Sequence, residues 1–220
     1  MAATSAPGDS KPPSQSKLPT SRRRVRMSPK DREVSILEGA VTFFAERGFS
    51  AQTRDLAAQL GVSESLIYRY FGTKEALIQR VYEETILSRW DPSWLTRLSE
   101  RSVPIRSRLI SFYSQYFYAI DNRCWIRIAM HSSLDGLDLT NNYIMAQVEA
   151  LLSTIAFEVQ ESMHLKNKLD FEIVWHLHSS FIYYVVRKHI HMTPVPEEIE
   201  KMVELTVDNF LHGIAVDSDP

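Results

Sequence analysis

The chain has 220 residues, enough for one large domain or two small ones, with 44% hydrophobic and 24% charged residues, ordinary values for a soluble globular protein. Its 7 glycines argue against an all-β sandwich and leave no phosphate-binding Gly loop, dinucleotide fingerprint or Gly-x-Ser-x-Gly elbow, so enzyme chemistry finds no support. The net charge of −2 hides an asymmetry: residues 1–80 hold 13 Lys and Arg against 8 Asp and Glu, residues 81–220 hold 12 against 19, and a basic front on an acidic body suits a polyanionic partner.

Residues 1–27 read as a disordered tail of Ser, Pro, Ala, Lys and Gln, ending in the cationic run Arg22, Arg23, Arg24 and Arg26. Helical signals begin at Ser28, an N-cap candidate followed by Pro29 and Asp31. Val34, Leu37, Val41 and Phe44 then form one apolar stripe, and Gly48 is a stop, which predicts a helix over 30–47. A short helix over 53–60 is predicted with Thr53 as N-cap. Gly61-Val62 makes a tight turn, Ser63 caps a third helix over 63–70, and Thr73 caps a fourth over 74–89. Further helices are predicted over 104–120, 124–134, 139–164, 168–191 and 196–213, with breaks at Pro92, Pro104, Asp135-Gly136, Pro194 and Pro196. No run of period-two strands or internal repeat interrupts this all-α reading.

The informative block runs from Thr53 to Leu77. A helix-turn-helix needs a small residue where its second helix crosses the first, and Ala57 supplies it. It needs a residue that tolerates left-handed φ in the turn, and Gly61 supplies that. Leu56, Leu60, Val62 and Ile67 anchor the two helices from behind, while Ser63, Glu64, Ser65, Tyr68 and Arg69 point outward. An ordinary helical hairpin would rarely meet all these positions at fixed spacing.

The run Gly61-Val62-Ser63-x-x-x-Ile67-Tyr68-x-Tyr70-Phe71-x-Thr73-Lys74-Glu75-x-Leu77 resembles the signature of the TetR/AcrR family of bacterial transcriptional regulators. Phe44-Ala45-Glu46-Arg47-Gly48-Phe49 followed by Thr53 matches it too. The resemblance covers about residues 30–80. It implies an N-terminal three-helix DNA-binding domain at 28–73, a larger helical effector-binding and dimerisation domain at 74–214, and a short tail at 215–220. By this resemblance Thr53 and Arg54 are phosphate-contacting positions at a helix N-terminus. Ser63, Glu64, Ser65 and Leu66 open the recognition helix, Tyr68 and Arg69 are contact positions, and Tyr70 and Lys74 are backbone clamps. Arg69 could meet guanine or a phosphate. Glu64 departs from the pattern, because an acid near phosphates is repelled unless it accepts from cytosine or faces Arg69. The Arg22–Arg26 run could be an arm tracking the minor groove, or a solvated leader.

Aromatic residues concentrate in two later stretches, and Phe112, Tyr113, Tyr116, Phe117, Trp125 and Trp175 are the candidates for an apolar ligand pocket. The effector implied is a small apolar or amphipathic molecule; Arg123 and Arg127 could pair with an anionic one, though surface or ion-paired roles are commoner. His176 and His178 lie two apart on a predicted helix and cannot chelate together; no metal and no cofactor is expected. The lone Cys124 excludes an intramolecular disulfide, and with no apolar run near the ~18 residues that span a bilayer and no secretory h-region, a cytoplasmic protein is expected. Ile173, Leu177, Phe181, Tyr184, Val185 and Lys188, with Ile199, Val203, Leu205, Thr206, Phe210 and Leu211, suggest that the last two helices form a homodimer's four-helix bundle. The expected function is a homodimeric repressor on a pseudo-palindromic double-stranded operator, released by a small effector. A DNA-binding dimer regulated by a protein partner is the alternative.

Overall fold

The computed structural model describes residues 27–216; the arginines at 22–26 lie outside them, as do residues 217–220. Every regular element among the described residues is helical. α1 (Pro29–Arg47), α2 (Thr53–Leu60), α3 (Glu64–Phe71) and α4 (Lys74–Thr85) are followed by a 3-10 turn, Leu87–Arg89, and by α5 (Ser93–Leu98). Then come α6 (Ile105–Ile120), α7 (Arg123–Leu134), α8 (Leu139–Tyr143), α9 (Glu149–Met163), α10 (Phe171–Val186) and α11 (Ile199–Val216). A π turn, Ile144–Val148, carries α8 into α9, and another, Arg187–His191, extends α10.

Local chemistry sets the first three helices. The Ser28 hydroxyl accepts the Asp31 N–H at 3.1 Å and Pro29 opens α1. The stripe that α1 buries is Ile36, Leu37, Ala40, Phe43 and Phe44. Val34, expected on that stripe, is exposed, because the buried face is rotated toward α4 and α7. Gly61 adopts φ 64°, ψ 33° and returns its N–H to Ala57 and Ala58, closing α2. Ala57 and Leu56 are buried beneath α3, whose inward face is Ile67 and Phe71. The N-cap of α2 is Gln52 rather than Thr53; Thr53 is the first helical residue and its hydroxyl is buried without a hydrogen-bond partner.

The larger domain wraps around α6, whose Leu109, Tyr113, Tyr116 and Phe117 are fully buried. Tyr113 stacks on Phe181 of α10 at 4.3 Å between ring centroids. Arg108 is buried and ties three helices together: its guanidinium donates to the Leu98 carbonyl (2.5 Å), Glu158 (2.9 Å) and Ser162 (2.7 Å). Arg101 adds two further hydrogen bonds to Glu158. The helix α5 escaped the sequence reading because six residues carry only two core positions, Trp94 and Leu98, too few to show a period. The last helix begins at Ile199 rather than 196 and runs through Gly213 rather than stopping there. Tyr184 and Arg187 donate to the carbonyls of Pro196 and Pro194 and keep that segment extended, and Ile214 continues the buried stripe Val203, Val207 and Phe210.

The apolar residues expected to meet a second subunit are mostly used within the chain. Leu177, Phe181, Tyr184, Val185, Val203 and Phe210 are buried against α6 and its neighbours. Ile173, Ile199 and Leu211 are partly buried against the same core, and Lys188 pairs with Asp121 at 2.6 Å. Tyr183 and Leu205 are the large apolar side chains that α10 and α11 leave exposed.

Candidate nucleic-acid interface

α3 presents one polar face. The Ser63 hydroxyl accepts the Leu66 N–H at 3.2 Å and sits 3.0 Å from the Ser65 hydroxyl. Ser63, Ser65 and Arg69 are exposed, and the Arg69 guanidinium lies over the Tyr70 ring, 5.5 Å from its centroid. Glu64 accepts the Tyr68 hydroxyl at 3.3 Å, one turn along, and no hydrogen bond or ion pair joins it to Arg69. Leu66 and Tyr70 are half-buried against the core, and Tyr68 is partly exposed. Arg54 is exposed at the start of α2, whereas the Thr53 side chain is buried, so only its backbone N–H remains to meet an anion there. The Thr73 hydroxyl caps α4 through the Ala76 N–H at 3.1 Å and sets Lys74 beside the C-terminus of α3.

A second feature lies in the larger domain, a cavity of about 500 Å³ between α4, α6, α7, the α8–α9 rod and α10. Of the six aromatic residues expected there, Tyr116, Trp125 and Trp175 line it. Phe112, Tyr113 and Phe117 do not. They occupy the core instead: Phe112 meets Trp94 edge-on at 5.6 Å, Tyr113 stacks on Phe181, and Phe117 packs on Tyr184 at 4.9 Å. Tyr82, Ile126, Tyr143 and His178 line the cavity without having been expected. Their helices are amphipathic in sequence, but which part of the apolar face meets a void depends on long-range packing. His178 is buried with its Nε2 3.2 Å from the Tyr116 hydroxyl, and burial pushes its pKa down to about 4. His176 is exposed on the other side of α10.

Comparison with known proteins bears on the first feature. Residues 36–81 match the model of the bacterial regulatory proteins of the tetR family. The first domain is a TetR-family domain. Over 65 residues the chain is 38% identical to the HTH-type transcriptional repressor Rv3405c of Mycobacterium tuberculosis and to the HTH-type transcriptional regulator Mb3439c of Mycobacterium bovis. That match covers 29% of this chain and 35% of each relative, so it spans about a third of their length. The overall fold is shared more widely. A TetR-like transcriptional regulator from Rhodococcus sp. RHA1 superposes with a TM-score of 0.65 at 19% identity, over 86% of this chain and 100% of the other. The ketosteroid transcriptional regulator KstR2 of Mycobacterium tuberculosis gives 0.60 at 18% identity, over 86% and 98%.

The TetR-family domain is fastened to the larger domain by one side of α7. Arg123, Arg127, His131 and Asp135 recur every fourth residue and run past the end of α1. Arg123 pairs with Glu46 at 3.0 Å, and Arg127 donates to the Ala45 carbonyl and, at 3.1 Å, to that of Glu46. A methyl group at Gly48 would lie 3.0 Å from His131 and 3.1 Å from Asp135. Asp135 accepts the Phe49 N–H at 2.6 Å. Arg123 and Arg127 therefore serve the seam and do not face the cavity. The other side of α7, through Trp125, Ile126, Ala129 and Met130, forms a cavity wall, so one helix touches both the TetR-family domain and the void. Cys124 is half-buried beside them, and burial pushes its thiol up.

Proposed function

We propose that the chain is a DNA-binding transcriptional repressor that acts as a homodimer on a pseudo-palindromic operator and leaves it when a small molecule fills the cavity. The single observation that carries DNA binding is the polar face of α3, with Ser63, Ser65 and Arg69 exposed and Ile67 and Phe71 holding the helix from behind. In this reading Arg69 and Tyr68 reach base edges in the major groove, while Arg54, Tyr70, Lys74 and the backbone N–H of Thr53 hold phosphates. The working division is 28–73 for DNA and 74–214 for effector and partner subunit. An apolar cavity of about 500 Å³ supports a small-molecule effector over regulation by a protein partner, which would need a filled core and an apolar surface patch. The effector acts if it binds one setting of α7 and α4 better than the other, because only differential affinity shifts an equilibrium.

The test is selection of duplexes from a random pool by the full chain, followed by gel-shift titration. A two-fold motif should be enriched. Arg69→Ala should lose about 1–3 kcal/mol per half-site while its thermal midpoint stays that of the wild type. Enrichment of no motif, or equal affinity of the variant, overturns the reading.

A further inference from the structure

We infer that the cavity selects an uncharged, largely apolar ring compound carrying one hydrogen-bonding oxygen, and that Tyr143 is the residue that meets this oxygen. The inference rests on the cavity being the effector site proposed above, and it names the class of effector.

The lining contains no Asp, Glu, Lys or Arg. A carboxylate or an ammonium entering it would leave water and find no opposite charge, which is strongly unfavourable. Most of the wall is aliphatic or indole, including Ile86, Ile126, Val148, Ile182, Trp125 and Trp175, and the flat indole faces suit a ring. Of the polar lining residues, Ser133, Ser179 and Tyr183 are exposed, and the others form two hydrogen-bonded groups beside Tyr143. The Tyr82 hydroxyl donates to Thr140 at 3.1 Å, and Thr140 donates on to the Ala129 carbonyl at 3.1 Å. The Tyr116 hydroxyl is spoken for by His178. Tyr143 stands between them: its ring packs edge-on against Trp90, but its hydroxyl has no hydrogen-bond partner among the described residues. Burial raises its pKa and Tyr82 raises it further, while Tyr143 in turn raises that of Tyr116, so the three phenols act on one region and stay neutral. Tyr143 thus offers the one buried hydroxyl of the lining that has no hydrogen bond among the described residues; the other buried polar atom left unpaired there is His178 Nδ1, which Tyr143→Phe leaves in place. A ligand oxygen there satisfies a group that otherwise stays unpaired, while a pure hydrocarbon leaves it so.

The experiment is equilibrium dialysis of the full chain with biphenyl, 4-phenylphenol and 4-phenylbenzoate, three probes with one skeleton. 4-Phenylphenol should bind about tenfold more tightly than biphenyl, the worth of one well-placed hydrogen bond. 4-Phenylbenzoate should bind about 100-fold more weakly than 4-phenylphenol, because its charge has no partner. In Tyr143→Phe the advantage of the phenol over biphenyl should shrink to about twofold, with biphenyl binding unchanged. Equal binding of the carboxylate, absence of saturable binding by 4-phenylphenol, or an undiminished phenol advantage in Tyr143→Phe overturns the inference. Release of the selected duplex is read separately. If the dialysis pattern holds but 4-phenylphenol leaves the duplex bound, the ligand class stands and the regulatory reading fails.

Discussion

Asp135 accepts the backbone N–H of Phe49 at 2.6 Å, although 86 positions separate them in sequence. The first follows α7 and the second follows α1, so this bond pins the TetR-family domain to the helix that walls the cavity. Asp135→Ala leaves a partly buried donor unmet and should cost about 1–3 kcal/mol in urea denaturation. Asp135→Asn keeps a carbonyl oxygen there and should recover most of the loss. Equal stability of all three proteins would show that water replaces the carboxylate without cost.

Ala57 lies where α3 crosses α2 and is buried. Ala57→Leu should wedge the two helices apart at a cost of about 1–3 kcal/mol and weaken operator binding with it. Thermal denaturation and gel shift on the same preparation check both effects. A variant of wild-type stability would place the crossing elsewhere.

Glu158 compensates Arg108, and both are buried. Glu158→Ala strands the guanidinium and should destabilise the chain by about 3–5 kcal/mol. Replacing both residues by Leu and Met should recover much of this, because two apolar side chains carry no uncompensated charge. Chemical denaturation of the single and double variants separates the cost of breaking the pair from the worth of having it.

His178 sets a pH dependence. In the folded chain its pKa is pushed down from 6.5 to about 4 by burial among Tyr113, Tyr116 and Trp175. Between those two values the unfolded chain holds a proton that the folded chain does not. Stability is therefore complete above pH 6.5 and falls as pH drops toward 4, with a slope of up to about 1.4 kcal/mol per pH unit from this one group. His178→Gln should flatten that part of the profile, measured by urea denaturation between pH 7 and 4.5. An unchanged slope would mean that His178 is reached by solvent.

The TetR-family domain was legible because its signals are local. Ser28, Ser63 and Thr73 cap their helices within three residues, and Gly61 and Ala57 are fixed by the turn between them. The buried hydroxyl of Thr53 was not legible, since a Thr at a helix start looks the same whether it is the cap or the first helical residue. The cavity was legible only as a concentration of aromatics. Tyr113 and Tyr116 are one turn apart on α6, yet one stacks in the core and the other borders the void. That choice depends on how α6 is rotated against α10 and α11, and no short window of sequence records a rotation. The seam along α7 had a visible four-residue spacing, Arg123, Arg127, His131 and Asp135, but its meaning lay in α1, some 80 residues earlier.

That seam also bears on autonomy. A unit of fewer than about 60 residues buries too small a share of its surface to be more than marginally stable alone. α1 packs more extensively on α7 than on either of its own neighbours, α2 or α4, taken singly, and it brings Phe43, Phe44 and the following Phe49 to the core almost without exposure. The TetR-family domain is thus a tenant of the larger domain, dependent on a helix it does not encode. Excised, it would expose much of that phenylalanine cluster, and grafting it onto another body would require α7 to travel with it.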